Sequence, residues 1–338
     1  MTENGPSEET NCPECAYWTA HGAKYCRSCG RPLPAAAPAP KRFGLLHSAV
    51  IACAILTAVC MIYSSIYLFF DIGNLFAATE GLTFRFTFYI GTHPLRLLTI
   101  SGAALKAYVL FLLIVEALCI LYAIKVFIQR ANQRTKDHDD NLTERTGLTA
   151  AGTILALALA VSYAAVLLMI IFDCLPDSSW ISEYTAEEQY ILFANAGFWE
   201  EITDRVVFIG LPMALIALCY RKDRKSWQYL LGGFGMSRIA MILIVVSAVL
   251  FGLAHLNGWG WSKVPMAAFS GLLFGYVYVQ YGLYASIIMH TVNDVGLTVV
   301  ENTLGTGFTA LILIAICVLG LLTLIYWVLK PRPDAVDP

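Results

Sequence analysis

The sequence predicts an all-α fold: a polytopic membrane helix bundle of about eight transmembrane helices, with a small zinc ribbon at its N-terminus. Three observations carry this. Of 338 residues, 58% are hydrophobic and only 14% charged, where a soluble domain is nearer half apolar and a quarter charged. Apolar stretches suited to the roughly 30 Å hydrocarbon core recur eight times. Four cysteines cluster ahead of the first stretch. The mean hydropathy of +0.66 agrees with a lipid bilayer as the main surroundings. The net charge of −2 gives no electrostatic argument for nucleic acid as a partner.

The N-terminal MTENGPSEET is polar and acidic and lacks the charged-then-apolar layout of a signal peptide. Residues 11–32 hold two Cys-x-x-Cys knuckles, CPEC (Cys12, Cys15) and CRSC (Cys26, Cys29), ten residues apart. Four thiolates at this spacing suit one tetrahedral Zn²⁺, and Gly30 suits the tight turn behind the second knuckle. A disulfide framework is the other reading, and a reducing cytoplasm argues against it. Four thiolates leave no open position, so this metal is expected to be structural, and so short a segment needs it to fold. The segment resembles the short zinc ribbons at the N-termini of many bacterial membrane proteins. Its mixed charge (Glu14, Lys24, Arg27, Arg31) points to a protein partner or a regulatory contact rather than DNA. Residues 33–42, rich in Pro and Ala, read as a stiff extended spacer.

The transmembrane domain is expected over 43–330, with spans at Leu45–Phe70, Ala107–Phe127, Leu148–Ile171, Tyr190–Leu218, Ile239–His255, Met266–Val279, Leu283–Val300 and Phe308–Leu329. One set of connections holds Lys41 and Arg42; Arg130, Arg134 and Lys136; Arg221, Lys222, Arg224 and Lys225; and Lys330 with Arg332. The opposite set holds little beyond Arg85, Arg96 and Lys263. The positive-inside rule then places both termini and the ribbon in the cytoplasm of a cell whose plasma membrane the chain spans. Eight spans satisfy that parity. Gly271 and Gly275 in GLLFG give the spacing that lets helices approach closely. The remaining cysteines (Cys53, Cys60, Cys119, Cys174, Cys219, Cys317) are scattered, five of them in apolar runs where they read as small buried hydrophobes.

Function is written in the polar residues of these spans. Glu200, Glu201 and Arg205 interrupt an apolar stretch of about thirty residues, although each charge at the bilayer centre costs roughly 2.5–3.5 kcal/mol. Glu201 and Arg205 are four apart and can pair on a helix, which leaves Glu200 on another azimuth without a local partner. His290 and Asp294 are also four apart, and His255 follows Phe251 by four near the end of its span. Any one pair, taken alone, reads better as a polar contact between helices. Two glutamates, two histidines and an aspartate across three spans are more than a bundle needs, and they are the parts of a water-activating site.

In order, EEITDR matches EExxxR, FGLAH matches FxxxH and HTVND matches HxxxN/D. The chain resembles the CPBP family, the CAAX-processing type II endopeptidases and their bacterial relatives linked to bacteriocin processing and self-immunity. The resemblance spans about Tyr190–Val300, a motif core within the larger domain. It implies an intramembrane endopeptidase that cuts peptide, membrane-protein or prenylated-type substrates. By position, Glu200 would activate a water, His255 would hold the same water, and His290 with Asp294 would stabilise the oxyanion. Glu201 paired with Arg205 would support them. The last motif is often HxxxN, and an ionised Asp294 would repel an oxyanion. Asp294 must then be protonated, orient His290 or bind metal. Glu200, His255, His290 and Asp294 are also admissible ligands of a catalytic zinc. His255 falls near the outer end of its span and His290 about two turns from the inner end of its own. This offset of roughly 10–15 Å at ~1.5 Å per residue demands tilted or broken helices.

Three rival readings remain. AFSG (268–271) approximates the GxSG of a rhomboid-like serine protease, with Ser270 as nucleophile and His290 as base, but it lacks the leading Gly and leaves Glu200, Glu201 and Arg205 unexplained. HExxH and GxGD are absent. A catalytically silent receptor or scaffold would use the same cavity to bind peptide. A transporter with proton-relay carboxylates would be expected to show an internal repeat, and none is visible. Glu116, the one other mid-span acid, is expected to pack against a polar neighbour.

Overall fold

The computed structural model describes residues 12, 15, 26, 31, 44–137, 142–220 and 225–329. The chain divides into two units, Met1–Gly44 and Leu45–Pro338. The second is a bundle built from α1 (Gly44–Phe70), α2 (Ile72–Ala78), a hairpin of β1 (Thr83–Ile90) and β2 (His93–Ser101), and α3 (Gly102–Asp137). It continues through α4 (Gly147–Ile171), α5 (Ala186–Cys219), α6 (Arg238–Ala254), α7 (Leu256–Trp259), α8 (Lys263–Tyr281), α9 (Leu283–Leu304) and α10 (Thr306–Leu329).

All eight expected spans fall on helices. Seven are long and apolar enough to cross a bilayer: α1, α3, α4, α5, α6 with α7, α9 and α10. The eighth, α8, has the length, at 19 residues, but not the apolarity. The reason is its position. Among its residues only Pro265, Leu272 and Tyr276 are exposed, while Phe274, Val277, Tyr278 and Val279 are buried. A helix that faces protein rather than lipid has no need of a uniformly apolar surface. The peripheral helices behave oppositely: Leu167 and Ile171 of α4, Ile242 and Val246 of α6, and Leu311 and Ile314 of α10 all point outward. Such apolar belts suit lipid as the solvent.

Close approach of α6 and α8 rests on glycine. A Cβ on Gly271 would stand 3.0 Å from the Ala248 Cα, and one on Gly275 would stand 3.0 Å from the Ile244 Cγ2. The GLLFG spacing therefore does what small residues do between membrane helices.

The hairpin is an addition to the all-helical expectation. β1 and β2 pair antiparallel with an irregularity at Phe86/Thr87. Its sequence signal is the alternation in TFRFTFYI, which buries Phe84 and Phe86. The hairpin lies at one end of the bundle with the α4–α5 connection and with α7. Asn257 Nδ2 donates to the Thr92 carbonyl at 3.0 Å, and the Asp177 amide donates to the Trp259 carbonyl at 3.0 Å.

The opposite end is closed by main chain. The Tyr278 hydroxyl donates to the carbonyls of Tyr229 (2.8 Å) and Leu230 (3.0 Å). The amides of Gly233 and Gly235 donate in turn to the carbonyls of Tyr278 and Val279. Segment 226–235 thus packs across the foot of α8. At the same end Glu144 Oε1 accepts from His47 Nδ1 and from the Tyr326 hydroxyl, both at 2.6 Å, joining α1 to α10.

Gly271→Val should drive its side chain into Ala248 and Phe251, with a loss of about 1–3 kcal/mol, the usual cost of overpacking. Gly73→Val, where a Cβ meets nothing within 4 Å, is the control. Thermal unfolding in detergent should show a clear drop for Gly271→Val only, and equal drops in both would deny the close α6–α8 contact.

Candidate active site

The three motifs converge between α5, α6 and α9. α5 begins at a capping box, with the Thr185 hydroxyl accepting from the Glu188 amide and Glu188 Oε2 accepting from the Thr185 amide. From Ala196 to Gly210 it widens into a π-helix of 15 residues, which carries Glu200, Glu201 and Arg205. A second π-helical stretch, Val292–Gly296, interrupts α9 and carries Asp294. Such i→i+5 segments concentrate at functional sites, and apolar periodicity does not announce them. α5 and α9 touch at Gly197, where a Cβ would stand 2.6 Å from the Thr291 Oγ1. That contact brings His290 beside the two glutamates.

Glu201 and Arg205 form the expected ion pair, Nε to Oε2 at 3.5 Å, with both side chains fully buried. The pair is part of a larger arrangement. Glu201 Oε1 accepts from His290 Nδ1 at 2.8 Å, and Oε2 accepts from the Ser286 hydroxyl. Arg205 Nη1 donates to the Ser247 hydroxyl at 2.9 Å, which donates to the Asp204 carbonyl at 2.6 Å. The guanidinium lies over the rings of Phe251 (5.0 Å) and Phe274 (5.6 Å). Phe274 also stacks on His290 at 4.5 Å. Glu201 therefore fixes the ring of His290 as well as pairing with Arg205.

The other His290 nitrogen faces the cavity. Nε2 is 3.3 Å from Asp294 Oδ2 and 3.6 Å from Glu200 Oε2. Asp294 Oδ1 accepts from Asn293 Nδ2 at 2.6 Å. Of the three roles open to Asp294, this geometry matches the orientation of His290. His255 sits at the C-terminal cap of α6, where its Nδ1 donates to the Phe251 carbonyl at 2.8 Å, so Nε2 is left as an acceptor. The two histidines flank the Phe251 ring, with centroids 4.7 Å (His255) and 6.2 Å (His290) from it. Their offset along the bundle is thus spanned by Phe251 and by Asp294, one turn beyond His290.

Two cavities meet at Glu200, Phe251, His255 and Trp259. The larger, about 550 Å³, also reaches His290, Asn293, Asp294 and Ser270. The smaller, about 270 Å³, lies under the hairpin beside Arg85, Thr87 and Asp204. Glu200, with 31% of its side chain exposed, borders both, whereas its neighbour Glu201 borders neither. Ser270 shares the larger cavity, but both nitrogens of His290 are directed at carboxylates.

Ser286, Ser247, Phe274 and Asp204 escaped the sequence reading, and Asn293 falls one position early for the HxxxN spacing. A signal for two of them was present. Ser286, His290 and Asp294 repeat at intervals of four on α9, and Ser247, Phe251 and His255 do the same on α6. Glu116 is buried, and its Oε1 has no hydrogen-bond partner among the described residues.

Among the described residues, one group of three metal-ligating side chains has donor atoms all within 4.8 Å of one another: Cys12, Cys15 and Cys26. Cys29 lies outside the described residues. The Sγ atoms of Cys12 and Cys26 are 3.9 Å apart, close to the edge of about 3.8 Å of a ZnS₄ tetrahedron with bonds of about 2.3 Å. The Cys15 amide donates to the Cys12 carbonyl at 3.0 Å, the turn that a Cys-x-x-Cys knuckle needs. The residues present fit a thiolate-bound Zn²⁺.

Glu201→Gln should strip Arg205 of its counter-charge and cost about 3–5 kcal/mol. Ser286→Ala removes a single donor and should cost about 1–3 kcal/mol. Unfolding of both variants in detergent checks the order. Equal losses would mean that the Glu201–Arg205 pair is not what holds these helices in register.

Comparison with known proteins adds one finding. No curated protein and no solved structure matches the chain. Residues 188–296, which contain EEITDR, FGLAH and HTVND, match the Rce1-like family of type II CAAX prenyl endopeptidases, consistent with a CPBP family intramembrane protease.

Proposed function

We propose that the chain is an intramembrane endopeptidase that hydrolyses peptide bonds with a water activated by Glu200. The observation that carries this reading is the division of labour between adjacent glutamates. Glu201 is enclosed and saturated by Arg205, Ser286 and His290, while Glu200 opens onto both cavities. Two carboxylates placed side by side with opposed surroundings take different roles.

A water lying between Glu200 and His255 would donate to the Glu200 carboxylate and to His255 Nε2, the nitrogen not engaged by the Phe251 carbonyl. Its lone pair is then free to attack a substrate carbonyl. Glu200 takes the proton as the C–O bond forms, and later delivers it to the departing amine as the C–N bond breaks. The oxyanion needs N–H donors. His290, whose Nε2 lies 3.6 Å from Glu200 Oε2 and 3.3 Å from Asp294 Oδ2, would supply one, and the neighbouring amide of Asn293 another. Asp294, with Asn293 Nδ2 on one oxygen and His290 Nε2 near the other, would orient both. The wall formed by Leu159, Leu192, Phe193 and Met266 is apolar and suits a membrane-embedded or lipid-modified peptide. Glu200, His255, His290 and Asp294 are the residues that would hold a catalytic metal, which would polarise the water or the carbonyl, although their donor atoms do not all lie within 4.8 Å of one another.

The ribbon is proposed to hold a structural Zn²⁺ through Cys12, Cys15, Cys26 and Cys29, and to offer a surface to a protein partner.

Glu200→Gln keeps the shape and removes the base, so turnover of a fluorogenic peptide library in proteoliposomes should fall about 100- to 10,000-fold. Ser270→Ala should be nearly silent. A dead Ser270→Ala protein beside an active Glu200→Gln one would move the chain to the serine class, and two silent changes would leave a peptide-binding receptor.

Metal analysis should find one Zn²⁺ per chain, lost when Cys26 and Cys29 are both changed to Ser. Equal zinc in both proteins would remove the ribbon assignment, and turnover that survives in the variant would separate the ribbon's metal from catalysis.

A further inference from the structure

The bundle has two unlike ends, and the cavities belong to one of them. At the hairpin end, the larger cavity is bordered by Trp180 of the α4–α5 connection, by Trp259 of α7 and by Lys263 at the start of α8. The smaller is bordered by Arg85, Thr87 and Tyr89 of β1. Below the site toward the other end, the path is filled. Glu201, Arg205 and Ser286 form a fully buried layer, followed by Tyr278 and Val279 with segment 226–235 hydrogen-bonded across them.

The two ends also differ in charge. The hairpin-end connections contain four basic residues (Arg85, Arg96, Lys106, Lys263). Acidic residues there are twice as many, including Asp177, Glu183, Glu187 and Glu188 beside the mouth. In the sequence, the connections of the other set hold the basic runs around Arg130–Arg145 and Arg221–Arg238, and Lys330 and Arg332 follow the last span. Short basic connections are retained in the cytoplasm, each Lys or Arg adding to the bias.

We infer that the catalytic cavity opens on the non-cytoplasmic face of the membrane, so its substrates are peptide segments presented from that side. The inference rests on the endopeptidase reading for the word substrate, and on fold and charge alone for the side. A prenylated C-terminus carried on the cytoplasmic leaflet would meet the closed end. The substrate class that fits is the outward-facing end or juxtamembrane segment of a membrane protein or lipid-anchored peptide. It would enter between the hairpin and the 173–185 connection.

The test uses a membrane-impermeant maleimide on sealed cells making the full chain, before and after permeabilisation, with labelled cysteines located by peptide mass mapping. Cys174, exposed at the hairpin end, is a natural reporter. Ser162→Cys places a thiol in the wall of the larger cavity, and Gln228→Cys places one at the closed end. Cys174 and the thiol at 162 should react in sealed cells, and the thiol at 228 only after permeabilisation. Met266→Cys, on the facing wall, repeats the cavity measurement if Ser162→Cys does not accumulate. Labelling of 228 but not Cys174 in sealed cells would overturn the orientation. Labelling of Cys174 with the cavity thiols reactive only after permeabilisation, or unreactive throughout, would overturn the route of entry. None of these readouts needs turnover, so an active Glu200→Gln protein would refute the catalytic reading and leave the sidedness result standing.

Discussion

Everything at the centre of this bundle is arranged around the carboxylate of Glu201. Taking an ion out of water costs several kcal/mol even after relaxation, and one partner rarely offsets it. Glu201 has three: Arg205 on its own helix, and Ser286 and His290 on α9. Arg205 is in turn held by Ser247 of α6 and lies over rings from α6 and α8. One buried charge pair therefore ties four helices together. A slip of any of them by one turn would leave a charge without its partner, which makes the pair a register device as much as a source of stability.

The same arrangement sets the chemistry. Because Glu201 fixes Nδ1 of His290, the ring can present only Nε2 to the cavity, between Asp294 and Glu200. Because Glu201 is saturated, Glu200, one residue away on another azimuth, is the carboxylate left facing solvent-accessible space. Neither property belongs to an isolated residue. The protease-like geometry follows from one glutamate being placed out of reach so that its neighbour is available.

Much of this was legible in the sequence because the bilayer makes polar residues conspicuous. Seven of the eight expected spans, the pairing of Glu201 with Arg205, and the gathering of Glu200, His255, His290 and Asp294 around one cavity could be read from polar residues in apolar runs. What stayed hidden has identifiable physical causes. The π-helical stretches preserve apolarity and change only the hydrogen-bond register, so spacing alone does not reveal them. The hairpin was passed over because its alternating phenylalanines are brief beside the long apolar runs. Ser247 and Ser286 carry no charge and therefore no insertion cost to attract notice. The surroundings of Asp294 needed the fold: Asn293 is hydrogen-bonded to one of its oxygens and His290 lies near the other, at a position where an amide is usual.

The helices that carry the motifs show how the bilayer tolerates them. Within its most apolar window α9 is 67% buried by the rest of the protein and α5 is 44%, against 22% for α10 and 28% for α4. The charged groups are thus inserted into protein rather than lipid, on the helices with the least lipid to face. α8 carries this furthest, enclosed on nearly every side and no longer apolar enough to be counted as a span. Such enclosure solves the insertion problem and creates another, since a hydrolase needs water. Water cannot arrive through the lipid-facing helices, nor through the layer of Glu201, Arg205 and Tyr278. The hairpin end is where polar groups line the cavities, with Arg85 and Thr87 of β1 beside the smaller one. The hairpin is therefore the element that gives a site buried among membrane helices a polar border.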